Sequence, residues 1–362
     1  MTELLVQKQK RFRAAGMVVF SVALGLLASR IVANLTSDYL SDTLLDVVFT
    51  LLTQVVFLLI VPFVIYKLAL GKSFSGVLEL SNFRKTSPWI LLLCVPLGVC
   101  CIIVTMGVST IWYTILTLFG FSSSSSTVYP ETFSIWLLLL NIFLTGVLPG
   151  FCEEFTNRGG FLTVMRGSFG TAQTILLCGL EFGLFHQNVT QVFYTFVFGM
   201  LMATLCLYTR SVFPGMIVHF MNNSISVYLD FAEEYSLPLG GFFDNVNALL
   251  TSNFGLAALL WLLFAAAGAG IVFAILKLAS RDVKARYRAP EPEPRRYASP
   301  ETVIVSAEGE EVGEKAEDEA SEPRTPLSDK MLYKPVFRDW AFYIGALVVT
   351  IITTVCTFAW GL

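Results

Sequence analysis

The chain has 362 residues, of which 55% are apolar and only 14% charged, and its mean hydropathy is +0.69. Soluble domains carry about 25% charge, so the composition excludes a soluble enzyme and points to an all-α, polytopic membrane bundle. The net charge of −3 sits in loops and tails, and no basic patch with interleaved aromatics offers a surface to nucleic acid.

A spanning helix needs about 20 mostly apolar residues. By that measure about nine spans are predicted, roughly at 14–33, 45–70, 88–119, 133–150, 171–186, 189–208, 213–231, 255–278 and 340–360. Residues 1–13 are polar and basic, and no small-residue cleavage site closes the apolar run that follows, so a retained first helix is expected. Lys8, Lys10, Arg11 and Arg13 place the N-terminus in the cytoplasm under the positive-inside bias. Counting on from there, Lys67, Lys72, Arg84, Lys85, Arg158, Arg166, Arg210, Lys277 and Arg281 fall on the same side. The opposite loops hold Asp38, Asp42, the serine run 122–126, Glu233, Glu234 and Asp244. The expected location is the plasma membrane, with the lipid bilayer as solvent.

These spans group into five parts. Residues 1–132 are N-terminal membrane helices, 133–231 a core that gathers the polar motifs, and 232–280 a loop and the eighth helix. Residues 281–338 are rich in Pro, Glu and Ala, with an acidic block at 308–322, and are expected to form a disordered cytoplasmic linker. Residues 339–362 are the last membrane helix. The mixed stretch 72–85 reads as a short amphipathic helix at the interface. The predicted span 171–186 is short, so either these helices tilt steeply or the chain at 186–190 re-enters a protein-lined cavity, the setting in which irregular backbone is tolerated at depth. The 7 cysteines lie in apolar spans and read as small apolar residues, with Cys152 a minor candidate nucleophile.

Ionisable side chains within lipid are costly and mark functional sites by default, and this chain concentrates them between 150 and 223. Glu153, Glu154 and Arg158 come first, then His186, then His219 and Asn223, and the two histidines are the only ones present. Glu154 and Arg158 are spaced i,i+4 with the acid first, the favourable order for a helical ion pair. Adjacent helical residues point about 100° apart, so that pair leaves Glu153 facing elsewhere, suited to act as a general base in a weakly polar cavity. The plainer account is a structural ion-pair cluster. His219 and Asn223 share one helical face. Water polarised between Glu153 and His186, with His219 and Asn223 donating to the developing oxyanion, suffices for peptide-bond hydrolysis without a cofactor. The competing account is zinc held by His186, His219 and Glu153, against which stands the lack of a His-Glu-x-x-His pattern. Glu181 is a further buried acid, expected to pair with a neighbouring helix or to tune the site.

Glu-Glu-x-x-x-Arg-Gly (Glu153, Glu154, Arg158, Gly159), Phe-x-x-x-His (Phe182, His186) and His-x-x-x-Asn (His219, Asn223) occur in that order on successive helices. The ordered trio resembles the CAAX-processing and bacteriocin-immunity family, also called Abi or type II CAAX prenyl endopeptidase-like intramembrane proteases. The resemblance covers roughly 133–230. It implies a glutamate-dependent endopeptidase that cuts a membrane-associated peptide or protein, with Glu153 as base and His186 helping to activate water. It further implies an oxyanion site at His219 and Asn223, supported by Glu154 and Arg158. Glu181 departs from the family pattern, which has a small or apolar residue there. Cleavage is expected near the cytoplasmic leaflet. The rival from another class is a non-catalytic membrane scaffold or bacteriocin-immunity protein that uses the same polar network for packing, and a proton-coupled transporter is a third.

Overall fold

The computed structural model describes residues 3–37, 39–122, 132–286 and 333–360, and every regular element among them is helical. Helix α1 is Glu3–Thr36. Helix α2 covers 42–70 and consists of α-helical Asp42–Thr50, π-helical Leu51–Ile60 and α-helical Val61–Leu70. Short α3, Phe74–Leu80, leads to α4, Pro88–Leu118. Helix α5, Ile135–Arg166, is interrupted by π-helical turns at Ile142–Val147 and Phe155–Phe161. Then follow α6 (Thr171–Phe185), α7 (Val192–Thr209), α8 (Phe213–Glu234), α9 (Phe242–Ser252), α10 (Phe254–Arg286) and, after a 3₁₀ turn at Phe337–Trp340, α11 (Ala341–Trp360).

Seven helices are long and apolar enough to cross a membrane among the described residues, against about nine expected. The two that fall short explain the difference. Helix α6 has only 15 residues, and α8 is diluted by His219, Asn222 and Asn223. Helix α8 has a single exposed position, Asp230, before its last two residues, whereas α6 still exposes Leu176 and Leu180. Exposed apolar side chains such as Leu68, Leu92, Leu118, Leu262 and Ile352 mark the lipid-facing surface of the others. The protein is therefore a multi-pass, all-helical membrane protein.

Several local expectations are revised. The stretch after α2 does not simply lie at the interface. Ser81 is fully buried, and Asn82 bonds to the Arg158 carbonyl and to Thr163 Oγ1 on α5 at 3.1 and 2.7 Å. The loop after α8 contains a helix, α9. The linker is shorter at both ends than expected: α10 runs to Arg286, and the Tyr333 amide donates to the Gly167 carbonyl at 3.1 Å. Asp38, most of the serine run, and the acidic block at 308–322 lie outside the described residues. After α6 the chain does leave helical geometry in a protein-lined setting. Gln187 has φ +45°, its buried Nε2 donates to the Ala23 carbonyl at 3.0 Å, and Trp112 Nε1 donates to the Val189 carbonyl at 2.7 Å.

Helix direction sorts the charges. The start of α1, the ends of α2, α5 and α7 and the starts of α4, α6, α8 and α11 meet at one end of the bundle. There Arg13 bonds to Asp339 and Ser211 Oγ donates to the Arg84 carbonyl. The other end holds the Phe133–Tyr235 ring pair and the Trp112–Val189 bond.

Candidate active site

The π-helical turns surround the carboxylates. Leu148–Glu154 is a two-turn α-helical piece between two π turns, and α2 faces it with a third. A π turn spaces its hydrogen bonds one residue wider and re-aims side chains, and such turns are frequent at functional sites. Thr156 on α5 donates to the Leu58 carbonyl within the π turn of α2 at 2.6 Å, pinning the two irregular segments together. Gly160 lets the Tyr66 ring in, since a Cβ there would lie 2.3 Å from it.

Two neighbouring acids meet different surroundings. Glu154 is wholly buried, and its Oε1 receives Arg158 Nη1 at 2.9 Å and His219 Nδ1 at 3.0 Å. A carboxylate can only accept, so Nδ1 of His219 carries the proton. Arg158, also wholly buried, reaches the Gly199 carbonyl with Nη2 at 3.4 Å and stacks its Cζ 4.1 Å above the Phe182 ring, a cation–π contact in a dry setting. Glu153 faces the other way. Gln54 Nε2 donates to its Oε1 at 2.8 Å, His219 Nε2 lies 4.0 Å from its Oε2, and its side chain keeps 14% of its surface open.

Phe182 organises both imidazoles. It stands edge-on to His186 at 4.9 Å and to His219 at 5.7 Å. Its carbonyl accepts the Nδ1 proton of His186 at 2.9 Å, which in the neutral ring leaves the Nε2 lone pair available. Arg30 Nη2 holds the His186 carbonyl at 2.9 Å. Asn223 donates from Nδ2 to the Thr145 carbonyl at 2.9 Å and accepts from Asn222 Nδ2 at 3.2 Å, so one of its two amide protons remains.

Glu153, His186, His219 and Asn223 line one cavity of about 590 Å³, within the size range of small-ligand sites. Glu154 and Arg158 stand behind it. Glu153 and His186 also border a second cavity of about 180 Å³ that contains Arg30 and Asn157. Among the described residues no group of three His, Cys, Asp or Glu side chains is placed to hold a metal ion. The His219 nitrogen nearest Glu154 is already committed to that carboxylate.

Two other candidates lie elsewhere. Cys152 is 1% exposed and does not line the cavity. Glu181 borders a separate apolar cavity beside α1 and α11, and neither of its oxygens has a hydrogen-bond partner, so the expected pairing with a neighbouring helix is not made. The residues that sequence reasoning missed are Gln54, Arg30 and Asn222. Gln54 left a signal: it is the one amide in the apolar stretch Leu51–Ile60.

The fold and site together define a polytopic helical membrane protein with an acid, two imidazoles and an amide around a polar interior cavity. Residues 134–225 match the family model described as type II CAAX prenyl endopeptidase Rce1-like, which bears out the resemblance drawn from the three motifs. The matched stretch runs from the foot of α5 into α8 and includes every motif residue, while α1 to α4 and α9 to α11 lie outside it. No curated protein and no solved structure gives a match.

Proposed function

We propose that the protein is an intramembrane endopeptidase that hydrolyses a peptide bond of a membrane-associated protein or peptide, with Glu153 as general base. The observation that carries this reading is the division of labour between adjacent carboxylates. Glu154 is consumed by Arg158 and His219, whereas Glu153 keeps an open side on the cavity.

Glu153 takes a proton from a water whose other hydrogen is accepted by His186 Nε2. The water oxygen then adds to the substrate carbonyl carbon. The oxyanion that forms faces the wall bearing His219 and Asn223, where preorganised donors contribute most to lowering the barrier. When His219 carries a proton on Nε2, the Glu154 carboxylate at Nδ1 balances the charge. Collapse of the adduct breaks the C–N bond, and Glu153 returns its proton to the leaving amine. Gln54 holds Glu153 in place throughout. Every proton is handled by residues of this chain, and the proposal needs no metal; elemental analysis of purified protein and chelator sensitivity test that separately.

In this reading the N-terminus and the basic loops face the cytoplasm of a plasma-membrane protein, which the charge bias supports. The reading is tested by Glu153→Gln expressed in the native host, with membrane peptides compared to those of the parent. A general base contributes about 10²- to 10⁴-fold, so processing is expected to fall at least a hundredfold while abundance is unchanged. Unchanged products, or a collapse in abundance, refutes it in favour of a structural network.

A further inference from the structure

The cavity has a direction. Its floor is buried: Phe182, Phe198 and His219 are 1%, 4% and 3% exposed. From the floor it follows α8 through Asn222, Asn223 and Ser226 to Asp230, which is exposed, and on to Phe243 of α9. On the facing walls it continues toward Phe49 near the start of α2, Ser109 near the end of α4 and Gln191 just before α7. Each of these lies toward the end of the bundle opposite the start of α1. The mouth is therefore at the far end from Arg13, Lys67, Arg84, Arg166 and Arg210.

The distribution of Lys and Arg assigns the basic end to the cytoplasm. Residues 36–66, 86–157, 167–209 and 211–276 contain no Lys or Arg, and these ranges include every connection at the mouth end. The short connections at the other end hold Lys67, Lys72, Arg84, Lys85, Arg166 and Arg210, and short cytoplasmic loops are the ones in which such an excess sets orientation. Arg30 alone lies in the mouth half of a helix, and it is tied to the His186 carbonyl.

We propose that the active-site cavity opens to the non-cytoplasmic face and admits an extended, polar, unlipidated polypeptide segment from that side. The direction stands on geometry and charge alone; the substrate rests on the peptidase reading of Glu153. The rise along α8 from His219 to Asp230 is about 16 Å, a depth that about five extended residues cover. Amides and hydroxyls recur along that path, among them Gln54, Thr105, Thr195, Asn222 and Ser226. Several are already bonded within the protein, and their remaining donors and acceptors match the groups of a peptide main chain, which an isoprenyl chain lacks. This places the scissile bond on the opposite side from the cytoplasmic leaflet expected from the sequence.

The test uses the full chain in its native membrane and a charged, membrane-impermeant maleimide. Asp230→Cys at the mouth and Ser75→Cys at the basic end are each labelled in intact cells and again after permeabilisation, with the parent chain giving the background of its own cysteines. Ser226→Cys replaces the first variant if that one does not accumulate. Labelling of the Asp230→Cys chain in intact cells, and of the Ser75→Cys chain only after permeabilisation, is the expected result. The reverse pattern overturns the proposal. Profiling of new protein termini in parent and Glu153→Gln membranes then reads the substrate: sites in unprenylated, non-cytoplasmic segments support it, and sites in cytoplasmic or prenylated segments overturn it. A correct labelling pattern with no Glu153-dependent termini at all removes the substrate together with the peptidase reading, and leaves the direction of the cavity standing.

Discussion

Arg158 is the largest fully buried side chain and sits at the centre of the polar cluster, between Glu154, the Gly199 carbonyl and the Phe182 ring. Removing one partner of a buried ion pair is far more costly than removing both, because the survivor is left charged and desolvated; the single loss costs about 3–5 kcal/mol. Arg158→Met is therefore expected to lower thermal stability in detergent sharply, and Glu154→Gln combined with Arg158→Met to recover part of that loss. Melting curves of the two proteins decide it, and equal curves mean that the pair contributes no coupling. The same logic supports the proposal of Glu153, and not Glu154, as the base. Among the described residues the direct donor to Glu153 is the neutral amide of Gln54, which positions the carboxylate without pairing it to a cation.

Among the helices, the tight crossing of α6 on α7 sets the position of Phe182 and both imidazoles. Gly199 makes the crossing possible: a Cβ there would come within 3.0 Å of Gly179 Cα and of Phe182 Cβ. Small residues at such contacts let helix backbones approach where lipid offers no hydrophobic drive to association. Gly199→Val is expected to push α7 off α6, reducing membrane abundance and abolishing processing together. Gly270→Ala on α10, where a Cβ meets nothing within 4 Å, is expected to leave both unchanged or to raise stability by about 0.5–1 kcal/mol. Immunoblots of membrane fractions and a melting curve separate the two outcomes.

At the scale of the whole molecule, the C-terminal helix is tied to the N-terminal one by a buried acid, by an aromatic cluster and by the Tyr343 hydroxyl, which donates to the Phe12 carbonyl at 2.7 Å. Asp339, 1% exposed, accepts from Arg13 Nε at 2.7 Å, Gln9 Nε2 at 3.1 Å, the Val336 amide at 2.9 Å and the Tyr333 hydroxyl. The rings of Phe12, Trp340 and Tyr343 close over the same junction. Asp339→Ala removes the acceptor that all these donors share. It is expected to lower the melting temperature of the detergent-purified protein and to speed proteolytic loss of α11, measured by limited digestion and mass spectrometry. A melting temperature equal to that of the parent would show that the remaining contacts, the aromatic rings and the Tyr343 hydrogen bond, hold α11 in place without it.

The sequence alone determined the class of the protein and the residues worth testing. Apolar runs of spanning length and the ordered motifs at Glu153, His186 and His219 are local patterns, legible because lipid penalises ionisable groups that lack a purpose. The i,i+4 spacing of Glu154 and Arg158 likewise follows from one helix. What only the tertiary structure decided depends on contacts between helices. Gln54 meets Glu153 from a span 99 positions away, Arg30 reaches His186, and Glu181 turns to an apolar crevice on the other side of α6. Helices α6 and α8 fall below the length or hydropathy of a full span because one is short and the other carries His219, Asn222 and Asn223. The direction of the cavity, by contrast, is set by which ends of α2, α4, α7 and α8 splay apart, a property of their packing that no single segment encodes.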